Sequence, residues 1–398
     1  MDLIGWVIFV VALLFSVMLH ESGHFVMAKK FGMKVTRYFV GFGPTLWSTW
    51  RGETEYGIKA LPFGGFVKII GMHSLDDVDD PEDEPRSFRR QPATQRIIVL
   101  CAGSFMHFAL AFLLIAGLAL GIGIENDNTT QLGTVSNCVA RSVTALNSGV
   151  CVATDKASPA KVAGLRAGDQ VVAFDGKPAS NWTQLGNMIR DTPAGSAVTI
   201  TVRRDAKTVT LHTTLATVPG RSGSYLGVAP AVVFSPASPF RAVTYAGSSF
   251  GQVLAGSAKA VAALPAALPK LFSKDRANTA AGQVSSVVGA AEATGVAVAA
   301  NVGWQYKVSF VLLLIASLNI FVGAFNLLPL LPLDGGHVAV VIWERIRAAF
   351  ARLRHRPDPG MVDMAKLLPV SFSIFMVLMV FGVALILADI VNPVNIAG

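Results

Sequence analysis

Leu19-His20-Glu21-Ser22-Gly23-His24 closes an apolar run, Leu3 to Leu19, that contains no charged residue. On a helix that run spans roughly 26 Å at about 1.5 Å per residue, close to the thickness of a bilayer core. HExxH puts two histidines at i and i+4 on one helical face, where both can ligate one metal ion. The glutamate between them is then placed to take a proton from the attacking water. Ionisable side chains are expensive at membrane depth and are usually functional there. Three of them within five positions predict zinc chemistry inside a membrane, with His20 and His24 as ligands and Glu21 as base. A signal peptide is the competing reading of the run. Asp2 follows Met1 in place of a basic segment, and no small-residue cleavage motif follows, so the run is read as a retained span.

Composition agrees with a membrane protein. The 398 residues are 52% hydrophobic and only 15% charged. The net charge of +8 is scattered along the chain with no nucleic-acid motif, so no nucleic-acid partner is expected and the excess is read as membrane topology. Four apolar segments are long enough to cross, at about 3–27, 97–124, 308–333 and 367–391. The expected fold is a polytopic α-helical membrane protein of about four transmembrane helices, with a membrane-associated β-hairpin region and one inserted soluble α+β domain. Domain boundaries are placed at 1–127, 128–230, 231–306 and 307–398.

Lys and Arg near the spans set the expected orientation. Residues 28–96 carry eleven and 334–366 carry six, whereas 125–140 and 290–306 carry none. The two basic loops are expected in the cytoplasm, with both termini and the middle region outside. The active site then lies toward the cytoplasmic side of the cell membrane, and the inserted domain is extracytoplasmic.

Segment 41–72 reads as glycine-kinked β-hairpins, with a strand edge at Gly64, Gly65 and Phe66 that could hold an extended peptide. Asp76 to Glu84 places seven acids in nine residues and reads as a solvated stretch. In 240–306, apolar helical turns such as Val253–Leu264 are expected, broken at Pro265 and Pro269. Cys138 and Cys151 flank a stretch where a disulfide is permitted, though spacing alone does not fix one. Cys101 reads as a packed thiol.

A catalytic zinc usually keeps three protein ligands. Asp334 is the best third candidate, because it lies in the proline-broken segment Asn326-Leu-Leu-Pro329-Leu-Leu-Pro332-Leu-Asp334 and is followed by Gly335-Gly336, which permits close backbone approach. His337 is the alternative.

His20-Glu-Ser-Gly-His24 in a first span, with Asn326 to Gly335 in a later one, resembles the site-2 protease family of intramembrane zinc metalloproteases. A single soluble insertion containing Ser158 to Val171, Phe174-Asp-Gly176 and Tyr225-Leu226-Gly227-Val228 resembles a bacterial PDZ domain, as in the RseP-like branch. The resemblance implies Zn2+ held by His20, His24 and Asp334, with Glu21 as general base and proton shuttle. It implies that Asn326 contacts the substrate backbone or the developing oxyanion. The implied substrate is a single-pass transmembrane protein, such as an anti-sigma factor, first trimmed by an upstream site-1-type protease. The chain departs from the family's Gly-Pro-x-x-Asn pattern at Gly103-Ser104-Phe105-Met106-His107, which makes His107 a candidate site-lining group. A scaffold that has lost catalysis is disfavoured by the intact Glu21. A protease acting on soluble proteins is disfavoured because its third ligand would sit just downstream of HExxH.

Overall fold

A computed structural model describes residues 3–72, 80–125, 129–142, 146, 151–273, 276, 286–300 and 302–391. The chain packs as two compact units, residues 1–119 with 238–396 and residues 120–237. The first holds every long apolar helix, and the second is mostly sheet.

Helix α1 (Leu3–Lys30) is apolar on all sides, yet its buried residues Phe9, Ser16, His20, Gly23, His24 and Ala28 recur at helical spacing and form one stripe. Both histidines therefore lie on the inward stripe. The chain then enters an antiparallel hairpin, β1 (Val35–Arg51) and β2 (Thr54–Ile69). The hairpin folds back on itself. Tyr38, Phe39 and Val40 pair with Tyr56, Gly57 and Ile58 along one edge and with Val67, Phe66 and Gly65 along the other. Gly41, Gly43 and Gly64 supply the bends, each with φ between 85° and 103°, a region that only glycine enters freely. Tyr38 fixes the sheet to α1, sharing a 2.8 Å hydrogen bond with Ser22 and donating to the Met18 carbonyl. Leu46, Trp47 and Trp50 stand exposed near the hairpin turn.

Residues 73–79 of the acidic stretch lie outside the described residues. The remainder is not simply solvated. Pro81–Arg86 forms a 3-10 turn in which Asp83 pairs with Lys34, and Glu84 pairs with Arg89 and Arg90. Helix α2 (Ala93–Gly121) follows, with Leu100, Gly103, Ser104, His107 and Ala111 buried along it.

The second unit is described by itself. Its short strands β3 (Ile124–Glu125) and β4 (Leu132–Val135) pair with β10 (Phe234–Ser235) and β9 (Val228–Pro230). A central antiparallel sheet has the order β6 (Lys177–Pro178), β5 (Gln170–Phe174), β7 (Ala197–Arg204), β8 (Lys207–Thr214). β7 and β8 pair along their whole length, from Ala197 opposite Thr214 to Arg204 opposite Lys207. Helices α3 (Pro159–Val162) and α4 (Trp182–Asp191) complete the unit around Leu132, Val171, Phe174, Leu185, Ile200, Val202 and Leu226. Cys138 and Cys151 form a disulfide, while Cys101 is a free, half-buried thiol.

Helix α5 (Pro239–Ala267) is continuous where interrupted turns were expected. It runs through Pro265, and Pro269 falls in the 3-10 turn Leu268–Lys270 that follows. Its N-terminal half is packed, with Ala246 buried in one cluster with Ala111, Ile115, Ala316 and Ile320. Helix α6 (Val287–Ala299) is short and apolar, and its Gly295 lies so close to α1 that a Cβ on Gly5 would come within 2.6 Å of Gly295 Cα.

Helix α7 (Trp304–Asn326) stops at Asn326, seven residues short of the expected span end at 333. Pro329 and Pro332 lack amide donors and disfavour helical backbone before them. Asp334 therefore opens a separate helix, α8 (Asp334–Leu353), and α9 (Leu368–Val391) ends the described chain. Among the described residues, four helical stretches are long and apolar enough to cross a membrane: Leu3–Lys30, Ala93–Gly121, Trp304–Asn326 and Met364–Val391.

Candidate metal centre

Two separate stretches of chain meet at one point. Helix α1 brings His20 and His24, and the first turn of α8 brings Asp334. Two glycines allow this turn to dock. A Cβ on Gly335 would meet the Leu327 carbonyl at 2.3 Å, and one on Gly336 would meet Leu330 at 2.6 Å. The turn is thus pressed against the loop that precedes it, and the carboxylate is aimed by backbone contact.

The two histidine Nε2 atoms are 3.1 Å apart, and Asp334 Oδ2 lies 3.3 Å from His20 Nε2 and 3.4 Å from His24 Nε2. A tetrahedral zinc with ligand bonds of about 2.0–2.1 Å separates its ligand atoms by roughly 3.3–3.4 Å. The triangle fits that ion closely. His24 Nδ1 donates to the Val99 carbonyl at 2.7 Å, which leaves the Nε2 lone pair turned to the centre. Asp334 Oδ2 is buried without a hydrogen-bond partner among the described residues and converges with the two Nε2 atoms. Buried acceptors converging without donors are costly unless a cation joins them. His337 is outside this group of three and lines a cavity with Arg96 and Glu344.

The other expected residues fall at different distances from the centre. Glu21 lies beside the inner strand of the sheet, since a Cβ on Gly65 would come 3.7 Å from Glu21 Cγ. Gly65 and Phe66 pair with Val40 and Phe39, and Gly64 forms the bend before them. Asn326 is half-buried at the end of α7. His107 packs its ring 5.0 Å from that of His20.

The profile of peptidase family M50 matches residues 8–358. The chain belongs to this family. Zinc metalloprotease Rip1 of Mycobacterium tuberculosis is 36% identical over 414 residues, covering 98% of each chain. Rip1 of Mycolicibacterium smegmatis is 37% identical over 412 residues, covering 99% of this chain and 98% of its own. A putative zinc metalloprotease of Clostridium acetobutylicum is 28% identical over 400 residues, covering 99% and 100%. The M50 chain is accordingly a zinc metalloprotease of the site-2 type, and zinc is its metal.

Three contributors to the M50 centre were not singled out from sequence. The Val99 carbonyl carries no side-chain signal. Gly103 packs against both imidazoles, and the clue was its place four residues before His107. Asn319 bonds His107 and Ser16, and a lone amide inside an apolar span is the kind of signal that could have found it.

Proposed function

We propose that this M50 protease hydrolyses a peptide bond within the transmembrane segment of a single-pass membrane protein. The observation that carries the reading is the convergence of buried His20 and His24, on a helix long and apolar enough to span, with half-buried Asp334, on the turn that follows a second such helix. In this reading His20, His24 and Asp334 hold the zinc. Bound zinc supplies a Lewis acid for the scissile carbonyl and lowers the cost of deprotonating water. Glu21 takes the proton from the attacking water and delivers it to the leaving amine. Asn326 offers its amide to the substrate backbone or the developing oxyanion.

The strand at Gly64, Gly65 and Phe66 is read as the substrate guide. It has a ladder partner in β1, and a face of the strand at Gly65 lies against Met18 and Glu21. An unwound substrate segment added to this strand would run close to the base. The exposed Leu46, Trp47 and Trp50 favour membrane association of the hairpin tip.

The domain organisation that goes with this function is a first membrane half at 1–127, a PDZ domain at 128–230, a linker at 231–306 and a second membrane half at 307–398. Supporting the PDZ assignment is a groove between α4 and the chain at 224–230, lined by Trp182, Ile189, Arg190, Tyr225 and Gly227. The enzyme sits in the cell membrane with the centre toward the cytoplasm and the PDZ domain outside. Its substrate is a membrane-anchored regulator such as an anti-sigma factor, cut after a site-1-type protease has trimmed the exterior. The test is zinc content together with cleavage of a tagged single-pass substrate in liposomes, wild type against Glu21→Gln. Zinc in both and cleavage within the span in wild type alone is expected. Equal cleavage in both, or cleavage outside the span, would defeat the reading.

A further inference from the structure

Behind the metal centre a polar chain crosses three helices of the membrane unit. His107 Nδ1 lies 2.7 Å from Asn319 Oδ1, while Asn319 Nδ2 donates to Ser16 Oγ at 3.0 Å and to the Ile315 carbonyl at 2.8 Å. All three side chains are buried. The network fixes the orientation of the amide. Turned over, its oxygen would face the Ile315 carbonyl oxygen, which has no proton to give. Asn319 therefore presents Oδ1 to His107, and an oxygen acceptor there requires a proton on His107 Nδ1. A neutral ring in that tautomer carries its lone pair on Nε2.

The neighbouring ring has the complementary need. His20 turns Nε2 to the centre, so a neutral His20 carries its proton on Nδ1. That atom is buried and unpartnered among the described residues, whereas the matching atom of His24 is bonded to Val99. Metal-binding histidines almost always donate this second N–H to an acceptor that holds the ring and strengthens the ligand. The His20 and His107 ring centroids are 5.0 Å apart. Two imidazoles joined by an N–H···N bond of about 2.9 Å have centroids roughly 5 Å apart, because each nitrogen lies about 1.1 Å from its ring centre.

Resting on the metal centre proposed above, we infer that His107 is the positioning residue for His20. Its Nε2 accepts the His20 Nδ1 proton, and Asn319 and Ser16 hold it in the required tautomer. The structure places the two rings at the centroid spacing of such a bond. The role is one of orientation, and His107 touches neither zinc nor substrate. It also accounts for a histidine at a position where an asparagine is the expected residue, since the longer ring reaches from Asn319 to His20.

The experiment measures zinc affinity of the full chain in detergent by competition with a chromophoric chelator, and records the visible spectrum of the cobalt-substituted protein. His24→Ala serves as the reference that removes a ligand. His107→Leu is expected to weaken zinc about 10- to 100-fold, the usual effect of losing such a partner, and to broaden the cobalt bands. His107→Gln places an acceptor oxygen near the Nε2 position and is expected to recover most of the loss. Asn319→Leu is expected to weaken zinc with His107 still present. Wild-type affinity in His107→Leu would overturn the inference, and so would a His107→Gln protein that unfolds like wild type yet binds zinc as weakly as His107→Leu. Zinc that His24→Ala fails to remove would overturn the centre itself, and this inference with it.

Discussion

Gly103 lies so close to His24 that a Cβ built on it would fall 2.5 Å from the His24 Nε2 atom, and equally close to His20 Cε1. Helix α2 thus forms the wall behind both ligands, and the wall is flat only because this residue has no side chain. Gly103→Ala is expected to displace both rings from the centre. Zinc affinity should fall by at least about 10-fold, as for other perturbations of ligand orientation, with a smaller effect on the folded helix bundle. Chelator competition on the purified variant measures this, and unchanged zinc affinity would show that α2 yields.

Gly335 makes the comparable contact for the third ligand. Its missing Cβ would meet the carbonyl of Leu327 at 2.3 Å, and backbone has no rotamer by which to move aside. Gly335→Ala should therefore lift the first turn of α8 and carry Asp334 with it. A stability loss of about 1–3 kcal/mol, typical of overpacking, and loss of zinc are expected together. Gly382→Ala in α9 is the internal control for an added methyl, since a Cβ there meets nothing within 4 Å and its φ is not positive.

These two contacts show how much of the centre could be read from the chain. His20, Glu21, His24 and Asp334 announce themselves, because ionisable groups in an apolar run are costly and persist there mainly for function. The glycine pair after Asp334 was legible as a site of close approach. The boundary between α7 and α8 was less so, because hydropathy continues through Leu327 to Leu333 while the two prolines end the helix. Helix α6 was not legible as an element. At thirteen residues it is too short to read as a span, and its packing on α1 depends on Gly5 meeting Gly295, a pairing far apart in sequence. The kinked strands of β1 and β2 were visible from their glycines, but the doubled register was not, since it depends on which edges meet in space.

Acid should loosen the hairpin turn. Glu53 accepts two hydrogen bonds from the Arg86 guanidinium and one from Lys29, and these partners hold its carboxyl down at about 2. A lowered value in the folded protein means that the interaction contributes fully above the ordinary carboxylate range. It is lost as the pH falls from about 4.5 toward 2. The group is partly exposed, so the contribution is under about 1 kcal/mol. Amide exchange around Gly52 and Glu53, corrected for intrinsic rates, should rise across that window in wild type. Glu53→Gln should show the raised exchange already at pH 6, and a flat profile in wild type would remove the pair from the account.

Glu344 anchors the helix that carries Asp334. Its Oε2 accepts from Arg96 at the base of α2 at 2.8 Å, and its Oε1 accepts from the Val362 amide at 2.9 Å. Both side chains are nearly buried, and the Arg96 Nε has no hydrogen-bond partner among the described residues. Removing one member of a buried pair leaves the other charge uncompensated, at a cost of roughly 3–5 kcal/mol. Glu344→Ala should therefore destabilise the membrane unit by about that amount. Glu344→Gln, which keeps acceptors for Arg96, should lose less. Unfolding in mixed detergent micelles separates the two variants. Equal stability of wild type and Glu344→Ala would show that α8 is held by its apolar contacts, with Val341 in the cluster of Ala28, Val99 and Leu100, and not by this pair.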